Sequence, residues 1–171
     1  MITKWNFQTP TEEELHKRDK LASEMGLSPF VCLLLVQRGL STVEEVKKFF
    51  KPSLNDLHDP FLMPDMEKAV KRLNKALGNK EKILIYGDYD VDGTTAVSLV
   101  YKYLRPYSST LDFYIPDRYD EGYGISYKGI DYARENGITL VISLDCGIKA
   151  IEKIEYAKQL GIDFIICDHH M

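Results

Sequence analysis

The sequence predicts an α/β fold: a parallel sheet with helices on both faces, preceded by a small helical region. Three observations carry this. Four short apolar runs recur after residue 81, each followed by a polar stretch and then a helical pattern. The runs are continuous, as strands buried on both faces require, and do not alternate with polar residues. Before residue 80 the apolar residues recur at helical spacing, between recognisable start and stop residues. The organisation expected is therefore a helical region, 1–80, and the first part of a sheet domain, 81–171.

The first helix is expected over 11–25, with Glu12, Glu13 and Glu14 in its first turn and Gly26 as the stop. Pro29 starts a second helix that runs to about Gln37 and closes at Gly39. Ser41-Thr42-Val43-Glu44 reads as a capping box for a third, which Pro52 ends. After a loop rich in Asp and Pro, Met66, Ala69, Val70, Leu73, Ala76 and Leu77 mark a fourth helix before Gly78. Strands are then expected at 83–85, 111–115, 139–144 and 163–167, with helices at 94–104, 126–136 and 149–160 between them.

Of 171 residues, 44% are hydrophobic and 28% charged, which excludes global disorder and provides a core for one or two modest units. The net charge of -4 excludes a general polyanion-binding surface, though not a local basic patch. Charge is uneven: residues 1–80 hold 13 basic and 11 acidic side chains, residues 81–171 hold 9 and 15. The longest apolar run, 30–36, is far short of the roughly 20 residues of a membrane span, so no membrane partner is expected. Residues 1–6 lack the apolar stretch of a secretory signal. Cys32, Cys146 and Cys167 show no CxxC spacing, which suggests neither a disulfide framework nor a zinc site, and a cytoplasmic location is expected.

In an open parallel sheet, ligands bind at the carboxyl ends of the strands. Here the first strand is followed by Asp88, Asp90 and Asp92, the second by Asp117 and Arg118, the third by Asp145, and the fourth by Asp168-His169-His170. For any single Asp, turn preference is explanation enough. Together, converging carboxylates would cost several kcal/mol without cations. Carboxylates with one or two imidazoles favour Mn²⁺ or Mg²⁺, and a carboxylate shared between two such ions is the usual machinery of phosphoester hydrolysis.

Asp88-Tyr89-Asp90-Val91-Asp92-Gly93 also matches the first half of an EF-hand calcium loop, but position twelve is Leu99 instead of Glu, and the segment follows a strand. Asp90-Val91-Asp92-Gly93-Thr94 resembles the signature of haloacid-dehalogenase-like phosphatases. That family places its first Asp directly at the strand end and needs downstream motifs that this sequence lacks.

A third resemblance covers more of the chain. The segment 87–93, then Ser143-Leu144-Asp145-Cys146-Gly147, then Asp168-His169-His170 resemble motifs of the DHH phosphoesterase superfamily. Within it, the helical preface, the stretch 57–66 and Pro116-Asp117-Arg118-Tyr119-Asp120-Glu121-Gly122-Tyr123-Gly124 are similar to the RecJ-type single-strand-specific exonucleases. The resemblance implies two Mn²⁺ (or Mg²⁺) ions: Asp90 on one, Asp92 on the other, Asp145 bridging, and His169 on the second. It implies that Asp88 and Asp168 orient these groups or complete their ligand set, that His170 meets the scissile phosphate, and that a water between the ions is the nucleophile.

Arg118 is a candidate phosphate clamp, its forked guanidinium suiting phosphate oxygens; the plainer reading is an ion pair with Asp117, Asp120 or Glu121. Tyr123 is a candidate base-stacking residue, with Gly122 and Gly124 letting the backbone approach a strand; the plainer reading is a packed loop residue. His16 and His58 have no ligand-spaced partners, Trp5 is expected in packing, and Cys146 and Cys167 are expected as small buried residues.

The function so implied is a metal-dependent 5'-to-3' single-stranded-DNA exonuclease of recombination and repair, partnered by DNA and by repair or single-strand-binding proteins. The alternatives are a phosphodiesterase of short oligonucleotides or cyclic dinucleotides, and an inactive scaffold relative. RecJ-like enzymes continue past the Asp-His-His motif with a further metal-binding Asp and further domains. The chain, ending at Met171, is therefore expected to be an N-terminal part that by itself binds metal weakly and lacks activity.

Overall fold

The computed structural model describes residues 8–170; Trp5 lies outside the described residues. The chain divides into two compact units, Met1–Asp59 and Pro60–Met171.

The first unit holds α1 (Glu12–Met25), α2 (Pro29–Val36) and α3 (Val43–Phe50). Thr11 caps α1, its hydroxyl accepting from Glu14 N–H while the Glu14 carboxylate takes Thr11 N–H at 2.7 Å. The capping box of α3 sits one residue later than the sequence suggests. Thr42 is the cap and Glu45 its partner, because Glu45 accepts the N–H groups of both Ser41 and Thr42, at 2.8 and 2.9 Å. The unit's core is Leu21, Cys32, Leu35, Val36 and Val46. No helix among the described residues is long and apolar enough to cross a membrane.

The second unit opens with α4 (Met66–Gly78), which a reading by periodicity assigns to the helical preface. Four parallel strands follow, β1 (Ile83–Gly87), β2 (Leu111–Tyr114), β3 (Leu140–Leu144) and β4 (Asp163–Cys167), alternating with α5 (Val91–Leu104), α6 (Tyr127–Glu135) and α7 (Ile151–Gln159). The strand order is β2-β1-β3-β4. The order reverses between β1 and β3, and an open α/β sheet forms its ligand crevice at such a reversal, beyond the strands' carboxyl ends.

Both faces are covered, and alternate residues of β1 divide between them. Ile83 and Ile85 join Leu140 and Ile142 against Ala76 and Leu73 of α4 and Val97 and Leu104 of α5. Leu84 and Tyr86 join Val141 against Ile130 and Ala133 of α6 and Ala157 of α7. All five residues of β1 and of β3 are buried, which is why each opens on a run of three consecutive aliphatic residues, Ile83-Leu84-Ile85 and Leu140-Val141-Ile142.

The amino ends of the strands are tied together by Arg72 of α4. Its Nε donates to Asp163 at 2.6 Å and its Nη2 to Glu81 at 2.8 Å, and the Thr139 hydroxyl also donates to Glu81, at 2.7 Å. This leaves the carboxyl ends of the strands free to carry function.

Candidate metal and phosphate site

At the carboxyl end of β1 the chain passes directly into α5, three residues earlier than the helical pattern suggests. Asp90 is the reason: its carboxylate accepts Gly93 N–H at 2.9 Å and caps the helix. Asp92 therefore lies in the first helical turn, exposed, where a carboxylate suits the positive end of the helix dipole. The approach of β1 to α5 demands Gly93, where an added Cβ would lie 2.5 Å from the Asp88 carbonyl oxygen and 2.7 Å from Asp88 N.

At the end of β3, Asp145 turns into the left-handed region, at φ 61°, an unusual conformation for a residue with a side chain. Its side chain is 10% exposed, and its Oδ1 lies 3.2 Å from His169 Nε2. Beyond β4, Asp168 is held from several sides: Oδ2 takes Ile148 N–H at 2.9 Å, and Oδ1 faces His170 Nδ1 at 2.7 Å. Burial alone would raise the Asp168 carboxyl, but these donors hold it down at about 2, and the Asp168 contact in turn raises His170.

Asp145, His169 and His170 each present a ligand atom, and these atoms all lie within 4.8 Å of one another. Asp90 stands close enough for its charge to raise His170. Neither Asp90 nor Asp92 belongs to that tight trio. Asp88 is 1% exposed; Oδ1 accepts a long hydrogen bond from Gly124 N–H, at 3.4 Å, and Oδ2 has no partner among the described residues. A buried carboxylate oxygen without a donor calls for an explanation. The carboxylate and two imidazoles of the trio make a donor set that fits a divalent cation of the Mn²⁺ or Mg²⁺ type.

The loop between β2 and α6 is built on Glu121. Its carboxylate accepts from the Ser126 hydroxyl, from the Tyr114 hydroxyl at 2.9 Å and from Asp117 N–H at 2.8 Å. The buried Tyr86 hydroxyl donates to Gly124 O at 3.0 Å and accepts Ser126 N–H at 3.1 Å, which fixes the loop to β1. Tyr123 stands between Gly122 at φ 77° and Gly124 at φ 83°, a backbone that only glycine enters freely. Its hydroxyl reaches Asp145 O at 3.1 Å and His170 Nδ1 at 3.2 Å.

The carboxylates beside Arg118 are all engaged elsewhere. Asp117 accepts the N–H groups of Tyr119 and Asp120, Asp120 faces Lys128, and Glu121 is taken up in the loop. The Arg118 guanidinium lies instead over the Tyr89 ring, 5.2 Å from its centroid, and the Tyr89 ring meets Tyr123 edge-on at 6.4 Å.

Tyr89 is the residue sequence reasoning missed. A tyrosine between two aspartates reads as a spacer, and nothing in the linear order shows that Arg118 covers it. Cys146 is buried as expected, whereas Cys167 is exposed, because it ends a strand whose last two residues face solvent.

The profile of the DHH family, N-terminal domain, matches residues 82–171. The single-stranded-DNA-specific exonuclease RecJ of Bacillus subtilis (strain 168) is 40% identical over 167 residues, covering 98% of this chain and 21% of that protein. Its counterpart in Escherichia coli (strain K12) is 33% identical over 147 residues, covering 85% and 25%. Among solved structures, an exonuclease RecJ bound to manganese superposes with a TM-score of 0.58 at 29% identity, over 64% of this chain and 29% of that one. RecJ from Thermus thermophilus in complex with Mn²⁺ gives a TM-score of 0.68 at 22% identity, over 92% and 21%, a likeness of fold. The chain thus spans about a fifth to a quarter of the curated relatives it matches.

Proposed function

From the premise that the chain belongs to the DHH family, we propose that it supplies the metal-binding part of an exonuclease that hydrolyses single-stranded DNA from its 5' end in recombination and repair. The observation that carries this reading is the trio Asp145, His169 and His170 within 4.8 Å, at the carboxyl ends of β3 and β4, β3 being one of the two strands that flank the reversal of strand order. The relatives named as single-stranded-DNA-specific exonucleases, and the manganese-bound structure among them, support the same substrate and ion.

In this reading Asp145 and His169 hold one Mn²⁺ or Mg²⁺ together, Asp90 and Asp92 contribute to a pair of ions, and Asp88 and Asp168 orient the ligands. Such ions supply Lewis-acid polarisation of the phosphate and lower the pKa of a bound water. The chain's own residues do the rest. His170, anchored by Asp168, presents its free ring edge toward the scissile phosphate. Arg118, with no carboxylate partner among the described residues, offers a forked donor to a phosphate oxygen. The half-exposed ring of Tyr123, with Gly122 and Gly124 beside it, faces the strand. Partners of the longer protein would be single-stranded DNA and proteins that bind it.

The test uses the protein that carries this chain, Mn²⁺, and single strands labelled at either end. Release of 5' mononucleotides, lost in Asp145→Ala, is expected. Hydrolysis of di- and trinucleotides alone would move the protein to the small-substrate branch of the family.

A further inference from the structure

We propose that Tyr123 is a positioning residue, whose hydroxyl ties the backbone of Asp145 to the ring of His170 and fixes how that imidazole faces the site. The inference rests on the reading of the Asp145–His169–His170 cluster as the hydrolytic centre. It assigns to Tyr123 a task distinct from base stacking, since stacking uses the face of the ring and positioning uses the oxygen.

Proton counting at the hydroxyl gives the orientation. Oη lies 3.1 Å from Asp145 O and 3.2 Å from His170 Nδ1. A phenol has one proton, and a carbonyl only accepts, so the O–H points to Asp145 O. Oη is then left as an acceptor toward His170 Nδ1, which also lies 2.7 Å from the Asp168 carboxylate. With two acceptors on that nitrogen, the proton resides on Nδ1, and the neutral ring carries its lone pair on Nε2, turned away from both.

The hydroxyl thus bridges a backbone carbonyl and an imidazole. The group it holds is one that needs holding: Asp145 has a left-handed backbone, φ 61°, so the direction of its carboxylate depends on contacts that keep this conformation. One hydroxyl from the β2–α6 loop thereby adds a third segment to the ties that already join the end of β3 to the residues after β4 through Asp145–His169 and Asp168–Ile148.

The ring does not depend on the hydroxyl for its place. It meets His170 edge-on at 5.9 Å and Tyr89 at 6.4 Å, and its backbone is set by the two left-handed glycines. Tyr123→Phe therefore removes the positioning oxygen and keeps the stacking face, while Tyr123→Ala removes both.

The first measurement is made on metal-free protein by nitrogen-15 spectroscopy of the His170 imidazole. The wild type should show one Nδ1-protonated tautomer with a protected Nδ1 proton, and in Tyr123→Phe that proton should exchange about 10-fold faster or more. The second measures Mn²⁺ affinity and the hydrolysis of single strands. Tyr123→Phe should weaken Mn²⁺ binding and lower kcat by about 10-fold, with KM for the strand within about twofold, whereas Tyr123→Ala should raise KM as well. Unchanged exchange at His170 in Tyr123→Phe, or Mn²⁺ affinity and kcat equal to wild type in that variant, would overturn the proposal. Absence of hydrolysis in the wild type would instead overturn the functional reading, and the metal-free spectra would still decide the role of Tyr123.

Discussion

Asp168 accepts from His170 twice, from the ring Nδ1 at 2.7 Å and from the backbone N–H at 3.1 Å, while its other oxygen takes Ile148 N–H. One carboxylate, 3% exposed in its side chain, thus clamps the loop after β3 to the residues after β4. Asp168→Asn keeps one acceptor oxygen and turns a donor toward the other set of N–H groups. We expect Mn²⁺ affinity to fall by about 10–100-fold with the fold retained, as measured by Mn²⁺ titration beside circular dichroism. Affinity within twofold of wild type would show that His170 is placed without this carboxylate.

Gly93 and Gly78 both stand in helices but are expected to respond oppositely to alanine. At Gly93 a Cβ meets the backbone of Asp88, whereas at Gly78 nothing lies within 4 Å. Gly93→Ala should cost about 1–3 kcal/mol and displace Asp88 from the site, while Gly78→Ala should be neutral or stabilising by up to about 1 kcal/mol. Denaturant midpoints of the two variants check this, and equal effects would mean that β1 and α5 do not approach as closely as described.

Arg72 should be a stability residue with no part in binding. Removing its guanidinium leaves Glu81, 18% exposed in its side chain, without its charged donor. Arg72→Met should cost about 1–3 kcal/mol in chemical denaturation. Arg72→Lys should recover little of it, since a single ammonium cannot reach Asp163 and Glu81 in the forked geometry.

The same clamp predicts acid lability. The Thr139 hydroxyl first, and then Arg72 and Asn79, hold the Glu81 carboxyl below the ordinary glutamate range, against burial, which works the other way. A carboxyl depressed in the folded state contributes stability that is fully present above its unfolded value, and that contribution is lost as pH falls through the folded value. Unfolding midpoints taken from about pH 6 down to pH 3 should therefore decline less steeply in Glu81→Gln than in the wild type. Parallel curves would remove Glu81 from the explanation.

The strands are legible in the sequence because each carries its own local signal. Ile83-Leu84-Ile85 and Leu140-Val141-Ile142 are apolar throughout, and both are buried throughout. The site is legible in part for the same reason: a parallel sheet sends every strand's carboxyl end the same way, so Asp145 and the Asp168-His169-His170 segment have to approach one another. What sequence order conceals are contacts made by side chains at long separation. Arg72 meets Asp163 across 91 positions, and Tyr123 meets His170 across 47. The buried Tyr86 reads as one more core aromatic until its hydroxyl is found holding Gly124 and Ser126. A helix start is hidden where a cap competes with a turn: Asp90 begins α5 because its carboxylate takes Gly93 N–H, a bond that spacing alone does not distinguish from a metal-facing loop.

The central claim is that Asp145 and His169 hold a divalent cation in a cluster that His170 completes, with the buried carboxylate of Asp88, whose Oδ2 is unpartnered among the described residues, serving the same centre. It is tested most directly by titrating Mn²⁺ into the protein that carries this chain and counting free ion by electron paramagnetic resonance. The account predicts saturable binding that Asp145→Ala abolishes and that Asp88→Asn weakens. Binding unchanged in Asp145→Ala would contradict it.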